Sequence, residues 1–373
     1  MKILALSKRQ YMGKDLLDDR FGRFWELPLE LAMRGHDVQG IALSYRAKKW
    51  PSADNPISAA NGKLTWHSVN LQRYGIPAVR SYVSRARQIS KQFKPDIIWA
   101  CSDAFHAILG RKMIRQSETS YVIDLYDNFE SYPATNLPGV LRWFQRAVQT
   151  ADALTCVSQQ LADYVSEQYR SSAPILILEN AVRTELFRPM VRSHCRRQLN
   201  LPPDAKIIGT AGALYRSRGI GTLYRAFKLL AAEDQTAHLA VAGPRGFSER
   251  IPANDRVHDL GCLPPDQIPF FWNALDVAVV CNRDSSFGRY NFPQKVREIM
   301  ACEIPLVAAD IGTMKELLRE HPECLFAPDD PTSLARALRI QIRNPRFTTQ
   351  AVPSWADMAG QLEAFFIRTL RQS

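Results

Sequence analysis

Short runs of apolar, often β-branched residues recur along the chain, and segments with apolar residues at helical spacing separate them. Residues 2–6 and 38–43 are two such runs, with a helical pattern between them that stops at Gly35. Residues 276–281 and 306–309 are too short and too continuously apolar for amphipathic helices, and they are typical of parallel strands covered on both faces. The pattern predicts an α/β protein built on parallel sheets.

A strand, a glycine-containing turn and a helix follow one another early in the second half of the chain. Residues 206–211 form the apolar run, residues 212–220 the turn, and residues 222–230 the helix. This geometry suits a phosphate group, because a helix amino terminus offers free N–H groups and the positive end of its dipole.

Lys295 and Glu298 lie between the two later apolar runs. They are three positions apart, so on a helix they share one face. One cation and one carboxylate near the carboxyl ends of parallel strands suit a nucleotide at the crevice of an open sheet. The alternative is a surface ion pair worth only a few tenths of a kcal/mol.

Asp127 and Glu130 come directly after the apolar run at residues 121–125. Carboxylates at a strand's exit face the ligand crevice of doubly wound folds, which makes both residues candidates for a ligand-binding site. The alternative is that they only cap the helix that follows.

Length and composition place the chain among ordinary globular proteins. Its 373 residues favour two domains, and 46% are hydrophobic and 23% charged. No apolar run reaches the roughly 18–20 residues of a membrane-spanning helix, and Lys8 and Arg9 end the first apolar run too early for a signal peptide. Seven scattered cysteines without C-x-x-C spacing favour a reducing cytoplasm and no structural metal.

The formal net charge of +11 is concentrated in the first part of the chain. Residues 1–150 contain 22 Lys and Arg against 13 Asp and Glu. Nucleic acid and an anionic membrane are both candidate partners for a basic surface. The alternative is a basic surface that contacts only solvent. Because no helix-turn-helix, zinc-ligand spacing or RNA-binding aromatic signature occurs, we expect no nucleic-acid binding.

Two basic segments suggest contact with the inner face of a membrane. Residues 46–50 place three cations beside a tryptophan, a pattern suited to a membrane interface. Residues 79–94 read as a helix in which Arg80, Arg85 and Arg87 are interleaved with apolar residues. A solvated helix face explains this second segment equally well.

The centre of the second half resembles the nucleotide-sugar-binding region of family-4 retaining glycosyltransferases of the two-domain GT-B fold. The matching motifs are Pro-Gln-Lys at 293–295, Glu-Ile-Met-Ala at 298–301 and Pro-Leu-Val-Ala at 305–308. The resemblance implies two Rossmann-like, doubly wound domains that face each other across a cleft. It places an acceptor domain at residues 1–183, with a last helix at 355–373 packing back on it, and a donor domain at residues 184–354. It also implies that Asp127 and Glu130 are candidates for the acceptor side of the site.

The resemblance also implies roles for individual residues. Arg218 and Lys295 are expected at the donor diphosphate, with Arg216 as a further cation and Gly212 in the phosphate turn. Glu298 is expected at the ribose hydroxyls, which a carboxylate can accept in pairs. Ser286, Phe287 and Gly288 resemble the small loop that holds the sugar. The nucleotide sugar is a co-substrate, and we expect no other cofactor and no metal, since no suitable Asp-x-Asp run is present.

The implied function is transfer of a sugar from a nucleotide-diphospho-sugar to a glycan or a polyprenyl- or other lipid-linked acceptor, with retention, in surface polysaccharide or glycolipid synthesis. Two departures keep alternatives open: Ala213 stands where the family has arginine, and Tyr290 where it has the first of two glutamates. A catalytically silent nucleotide-sugar- or glycan-binding subunit is one alternative. A nucleotide-sugar 2-epimerase of the same fold is another.

Overall fold

A computed structural model of the chain describes residues 1–11, 14–45, 54–70, 76–114, 119–246, 250–347 and 350–372. The basic segment at 46–50 lies outside these residues. The chain divides into two compact domains: the first contains Met1–Glu179 and Trp355–Ser373, and the second Asn180–Ser354.

The first boundary falls after Glu179 and not after residue 183, where the sequence analysis places it. The Nδ2 of Asn180 donates to the carbonyl of Phe292 at 2.8 Å, and Val182 forms a β-bridge with Ser354. These contacts tie residues 180–183 to the second domain.

The first domain is built on strands that are mostly buried. Its strands are β1 (Lys2–Lys8), β2 (Gln10–Tyr11), β3 (Lys14–Asp15), β4 (Asp37–Ser44), β5 (Asp54–Ser58), β6 (Lys63–Asn70), β7 (Ile97–Ala100), β8 (Ser120–Leu125), β9 (Ala153–Cys156) and β10 (Ile175–Ile177). Its first five helices are α1 (Arg23–Met33), α2 (Ile76–Phe93), α3 (Ala104–Ile114), α4 (Val140–Gln149) and α5 (Gln159–Tyr169).

Eight of these strands form one sheet in the order β10-β9-β8-β7-β1-β4-β6-β5. Every neighbouring pair is parallel except β5 and β6, so the sheet is doubly wound with one antiparallel edge strand. The central strands are mostly apolar because helices cover both faces of such a sheet. Strands β8, β7, β1 and β4 are consecutive in the sheet, so the residues that follow them lie at one edge.

The second domain repeats the architecture with fewer strands. Its strands are β11 (Lys206–Ala211), β12 (Ala237–Ala242), β13 (Val257–Asp259), β14 (Val277–Val280), β15 (Leu306–Ala309) and β16 (Leu325–Phe326). Its helices are α6 (Arg192–Gln198), α7 (Ile220–Glu233), α8 (Ile268–Ala274), α9 (Gln294–Ala301), α10 (Gly312–Leu317) and α11 (Pro331–Arg343).

The six strands of the second domain form an all-parallel sheet in the order β13-β12-β11-β14-β15-β16. Apolar side chains of α7 and α11 pack on it in one cluster that includes Phe227, Leu230 and Leu338. Helix α11 begins where Asp330 accepts hydrogen bonds from the N–H groups of its first turn, an N-cap with proline at the first helical position.

The last helix, α12 (Trp355–Gln372), belongs to the first domain, where it packs on α1. Its Glu363 accepts a hydrogen bond from Arg34 Nε at 2.6 Å and lies 2.9 Å from the Nε2 of His36. The ring of Phe366 packs edge-on against Trp99 of β7, with centroids 5.8 Å apart. His36 therefore connects the turn after α1 to α12.

A buried ion pair joins α1 to the sheet of the first domain. Arg23 donates from Nε and Nη2 to the two carboxylate oxygens of Asp124 at 2.8 and 2.7 Å, and both side chains are 0% exposed. Its Nη1 also donates to the carbonyl of Leu178 at 2.7 Å. This bidentate pair fixes the start of α1 against the carboxyl half of β8.

Candidate functional site

The turns after β11 and β12 bring two backbones into close contact at the carboxyl edge of the second sheet. Gly212 has φ +111°, a conformation open to glycine and strained for other residues, and its N–H donates to the carbonyl of Ala242 at 2.9 Å. A Cβ on Gly243 would collide with the carbonyl oxygen of Gly212. The edge is therefore open backbone, with no side chain at Gly212.

Lys295 lies over this glycine. A Cβ built on Gly212 would be 3.3 Å from Lys295 Nζ, so the ammonium group occupies the space beside the turn. Lys295 is in the first turn of α9 and partly buried. Burial lowers the pKa of Lys295, as does the charge of Arg218, while the Cys281 thiol and the Glu298 carboxylate act in the opposite direction. A bound anion would offset this burial.

Arg218 joins the turn after β11 to the turn after β14. It ends a short 3-10 helix, Arg216–Arg218, and its guanidinium lies 3.5 Å from the centroid of the Phe287 ring. Gly219 follows with φ +75°, and a Cβ there would collide with the carbonyl oxygen of Cys281. This close approach sets the guanidinium near Lys295, whose pKa responds to its charge.

Glu298 is buried on the next turn of α9, 6% exposed. Its carboxylate accepts hydrogen bonds from Trp272 Nε1 at 3.0 Å and from Gln294 Nε2 at 3.2 Å. Burial raises the pKa of Glu298, and these two hydrogen bonds and the charge of Lys295 oppose the rise. Each carboxylate oxygen can accept a second bond, so the ribose role of Glu298 stays a prediction.

The structure brings five of the predicted donor-side residues into one group, which we call the donor cluster: Gly212, Arg218, Phe287, Lys295 and Glu298. Gly288 is buried against the carbonyl of Arg283, and Ser286 is exposed on the same turn. Arg216 is exposed and lines a cavity of about 140 Å³ together with Arg225, Arg283 and Asp329.

A second polar group lies in the first domain at the ends of β8, β7, β1 and β4. Lys8 Nζ donates to the hydroxyl of Tyr126 at 3.1 Å, and Tyr132 donates to Asp127 Oδ2 at 2.9 Å. Burial lowers the pKa of Lys8, while the charges of Asp103 and Asp127 act to raise it. We call these residues, with Tyr45 and His106, the acceptor cluster.

Asp103 is a strongly held anion of this cluster. It lies 2.7 Å from His106 Nδ1 and accepts a hydrogen bond from the Tyr45 hydroxyl at 3.0 Å. Burial disfavours its charged form, but His106 and Lys8 outweigh burial and lower the pKa of Asp103 to about 2. Asp103 is therefore a fixed carboxylate that accepts hydrogen bonds at neutral pH.

Sequence reasoning placed Asp127 at this edge but missed Lys8, Asp103 and His106. Lys8 is the last residue of β1, and Asp103 follows β7 closely. Both residues, like Asp127, lie at or just after the carboxyl end of a parallel strand. The same reasoning from sequence could therefore have identified them.

Glu130 is held elsewhere. Its carboxylate accepts hydrogen bonds from the hydroxyls of Tyr164 and Tyr169 on α5, at 2.7 and 2.5 Å. The sequence analysis gave helix capping by Asp127 and Glu130 as the alternative. The capping residue is instead Asn128, whose Oδ1 accepts a hydrogen bond from the N–H of Glu130. Glu130 stays an acceptor-side prediction, with its observed contacts on α5.

No group of three or more His, Cys, Asp or Glu within the described residues is arranged to hold a metal ion. Among the helices that the structure describes, none has the length and apolar character needed to cross a membrane.

Two family models match the chain in separate regions. The model described as Glycosyltransferase Family 4 matches residues 24–186, and the model described as Glycosyl transferases group 1 matches residues 205–344. These regions lie in the first and second parallel-sheet domains, respectively, apart from a few residues at the boundary.

Curated relatives are also glycosyltransferases. D-inositol 3-phosphate glycosyltransferase 1 of Catenulispora acidiphila is 30% identical over 217 residues, which cover 53% of this chain and 50% of the relative. The putative teichuronic acid biosynthesis glycosyltransferase TuaC of Bacillus subtilis is 21% identical over 337 residues, which cover 89% of this chain and 82% of the relative. The chain thus spans half the length of the first relative and most of the second.

Solved structures share the fold. Sucrose-phosphate synthase from Thermosynechococcus elongatus has a TM-score of 0.79 at 18% identity, with both chains covered completely. Anabaena HepE in complex with UDP-glucose has a TM-score of 0.67 at 19% identity, with 100% of this chain and 98% of that chain covered.

Two parallel-sheet α/β domains with this likeness define a protein of the GT-B fold class. Within that class, the first domain is similar to the glycosyltransferases of family 4 and the second to those of group 1.

Proposed function

We propose that the chain transfers a sugar from a nucleotide-diphospho-sugar to a hydroxyl group of a glycan or lipid-linked acceptor. The observation that carries the proposal is the position of Lys295 Nζ beside Gly212, with Arg218 close enough for its charge to lower the pKa of Lys295. Two cations beside a glycine turn suit a diphosphate. The HepE structure, which contains UDP-glucose, supports this choice of donor.

The transfer requires stabilisation of a departing diphosphate. The bond between the sugar's anomeric carbon and the phosphate oxygen breaks, and both electrons leave with the diphosphate. Fixed cations at that position stabilise the developing charge. The acceptor oxygen bonds to the anomeric carbon, and its proton passes to an oxygen of the departing phosphate. We propose attack on the face that the leaving group vacates, which retains the anomeric configuration.

The other members of the donor cluster act on the rest of the donor. We propose that Glu298 accepts hydrogen bonds from the ribose hydroxyls, with Trp272 and Gln294 orienting its carboxylate. The turn that contains Ser286, Phe287 and Gly288 would contact the sugar. The stacking of Phe287 on Arg218 couples that turn to the cation at the diphosphate.

We propose that the acceptor binds at the acceptor cluster of the first domain. Asp103 and Asp127 offer carboxylate oxygens to hydroxyl groups, and Lys8 offers a donor. Tyr45 is 44% exposed and gives an apolar ring face beside them. Carboxylates, a cation and an aromatic ring together suit a sugar ring with several hydroxyls.

The test is binding and turnover with a panel of UDP-, GDP- and ADP-sugars. Arg218→Met and Lys295→Met should each weaken the affinity for the responding donor by about tenfold to a hundredfold, since each removes a charge-assisted hydrogen bond. Arg319→Met and Lys315→Met are matched controls, because both residues are exposed in the same domain, and they should leave affinity unchanged. Equal affinities in all four variants would contradict the proposed donor site.

Product analysis separates the alternatives. Hydrolysis or transfer with retained anomeric configuration supports the proposal. Donor binding with no turnover against any acceptor identifies a silent subunit, and a donor epimerised at carbon 2 identifies an epimerase.

A further inference from the structure

The amino-terminal part of α4 and the residues just before it expose large apolar side chains. Leu137 is 54% exposed, Leu141 37% and Trp143 53%. Val140 and Phe144 of the same segment are buried and hold the helix on the domain. An exposed set of large apolar residues this close in sequence is a feature of interaction surfaces.

The tryptophan is held in place. Its ring lies over Gly139, where a Cβ would be 3.5 Å from the indole, and Gly139 has φ +81°. Lys112 of α3, which packs on α4, has its Nζ 5.7 Å from the centroid of the indole. Trp143 is thus an exposed aromatic ring beside a cation, the combination found at membrane–water interfaces.

The charged residues around Trp143 favour a lipid surface over a protein partner. Residues 131–151 contain Arg142 and Arg146, both exposed, and no Asp or Glu. Helix α3 contains Arg111 and Lys112 and likewise no Asp or Glu. Apolar side chains with cations and no carboxylates complement an anionic bilayer, whose headgroups attract the cations while the apolar groups enter the interface.

The basic helix α2 fits a bilayer less well. Arg80 and Arg87 are exposed, but among the α2 side chains that the structure describes, Val79 is the only large apolar one that is exposed. Interfacial binding depends on buried apolar area as well as charge.

We propose that the end of α4, formed by Leu137, Leu141, Trp143, Arg142 and Arg146 with Lys112 of α3, docks the protein on an anionic membrane surface. This docking is independent of the proposed transfer reaction.

The experiment is sedimentation of the full chain with phosphatidylcholine vesicles containing phosphatidylglycerol, and with phosphatidylcholine alone. The unmodified protein should bind the anionic vesicles and lose binding in high salt. Leu137→Ser/Trp143→Ser should weaken binding by at least about tenfold, because it removes the apolar groups. Val191→Ser/Leu229→Ser is the control, since both residues are exposed apolar residues of the second domain, and it should bind normally.

Charge reversals then locate the surface. Arg142→Glu/Arg146→Glu should weaken binding by more than about fivefold for each residue changed, whereas Arg80→Glu/Arg87→Glu on α2 should have a smaller effect. A larger loss from the α2 variant, with normal binding by both α4 variants, would overturn the proposal. So would a failure of the unmodified protein to bind either vesicle.

Fluorescence gives a separate readout. Among the tryptophans whose exposure the structure describes, Trp143 alone is exposed. Vesicles should therefore shift tryptophan emission to shorter wavelength in the unmodified protein, and the shift should shrink in Trp143→Phe while vesicle binding persists. An undiminished shift in Trp143→Phe contradicts insertion at this site. Donor binding, measured in parallel, should be the same in all these variants.

Discussion

The Nζ of Lys295 lies against Gly212, 3.3 Å from the position that a Cβ of residue 212 would take. The two residues come from the turn after β11 and the start of α9, and their contact leaves an ammonium group beside bare backbone. The contact adds crowding of this ammonium group to the strain that any Cβ would have at φ +111°. It also yields a test that separates backbone strain from loss of the cation's position.

Gly212→Ala should weaken donor binding by about tenfold or more, because the new Cβ is strained at φ +111° and crowds Lys295 Nζ. Gly261→Ala is the matched control, since Gly261 also has positive φ (+62°) but no atom lies within 4 Å of its Cβ position. Both variants should lose about 1–2 kcal/mol of stability from strain. Titration with the donor checks the difference, and equal affinities would show that crowding of Lys295 is unimportant.

Donor affinity should fall on the alkaline side at a pH below the ordinary Lys pKa of 10.5. Burial lowers the pKa of Lys295, so the free protein loses this cation earlier than an exposed lysine would. In Lys295→Arg the decline should move to higher pH, because arginine stays protonated. Affinity measured against pH for both proteins checks this. Identical profiles would exclude Lys295 as the titrating group.

Glu298→Gln should melt at the same or a higher temperature than the unmodified protein at pH 7, yet bind the donor less tightly. Burial raises the pKa of Glu298, so the folded state holds a proton more strongly than the unfolded state. The resulting stability is complete below pH 4.5 and is lost as pH rises through the folded-state pKa. Glutamine at position 298 carries no charge, so this loss of stability at higher pH does not occur. Its side-chain oxygen can still accept the hydrogen bond from Trp272. Undiminished donor affinity would contradict the ribose role.

Arg23→Met should destabilise the first domain by about 3–5 kcal/mol, because it leaves the carboxylate of Asp124 buried without its partner. Arg34→Met removes a pair with Glu363 in which the arginine side chain is 40% exposed, and it should cost only about 0.2–1 kcal/mol. Urea unfolding of both variants measures the two losses. Similar losses would mean that burial does not set the strength of these pairs.

The sequence predicted the sheets well, because short, continuously apolar runs such as residues 276–281 are typical of parallel strands that are buried on both faces. Helical spacing also brought together Lys295 and Glu298, which lie on one short helix. The roles of Gly212, Arg218 and Phe287 came from the family resemblance.

Contacts between distant residues were beyond reach. Arg23 and Asp124 are buried as a pair, yet neither position shows a pattern that marks it as the other's partner. Glu130 looked like a strand-exit carboxylate, but two tyrosines of α5 bind it. The domain boundary lies after Glu179 and not after residue 183, because the side chain of Asn180 donates a hydrogen bond to the backbone carbonyl of Phe292, far along the chain.

The most direct test of the donor site is a crystal structure of the protein with its responding nucleotide sugar bound. Lys295 Nζ and the Arg218 guanidinium should lie within about 3.2 Å of diphosphate oxygens, beside Gly212. A diphosphate bound instead in the cavity lined by Arg216, Arg225 and Arg283, with Lys295 and Arg218 out of contact, would contradict the account.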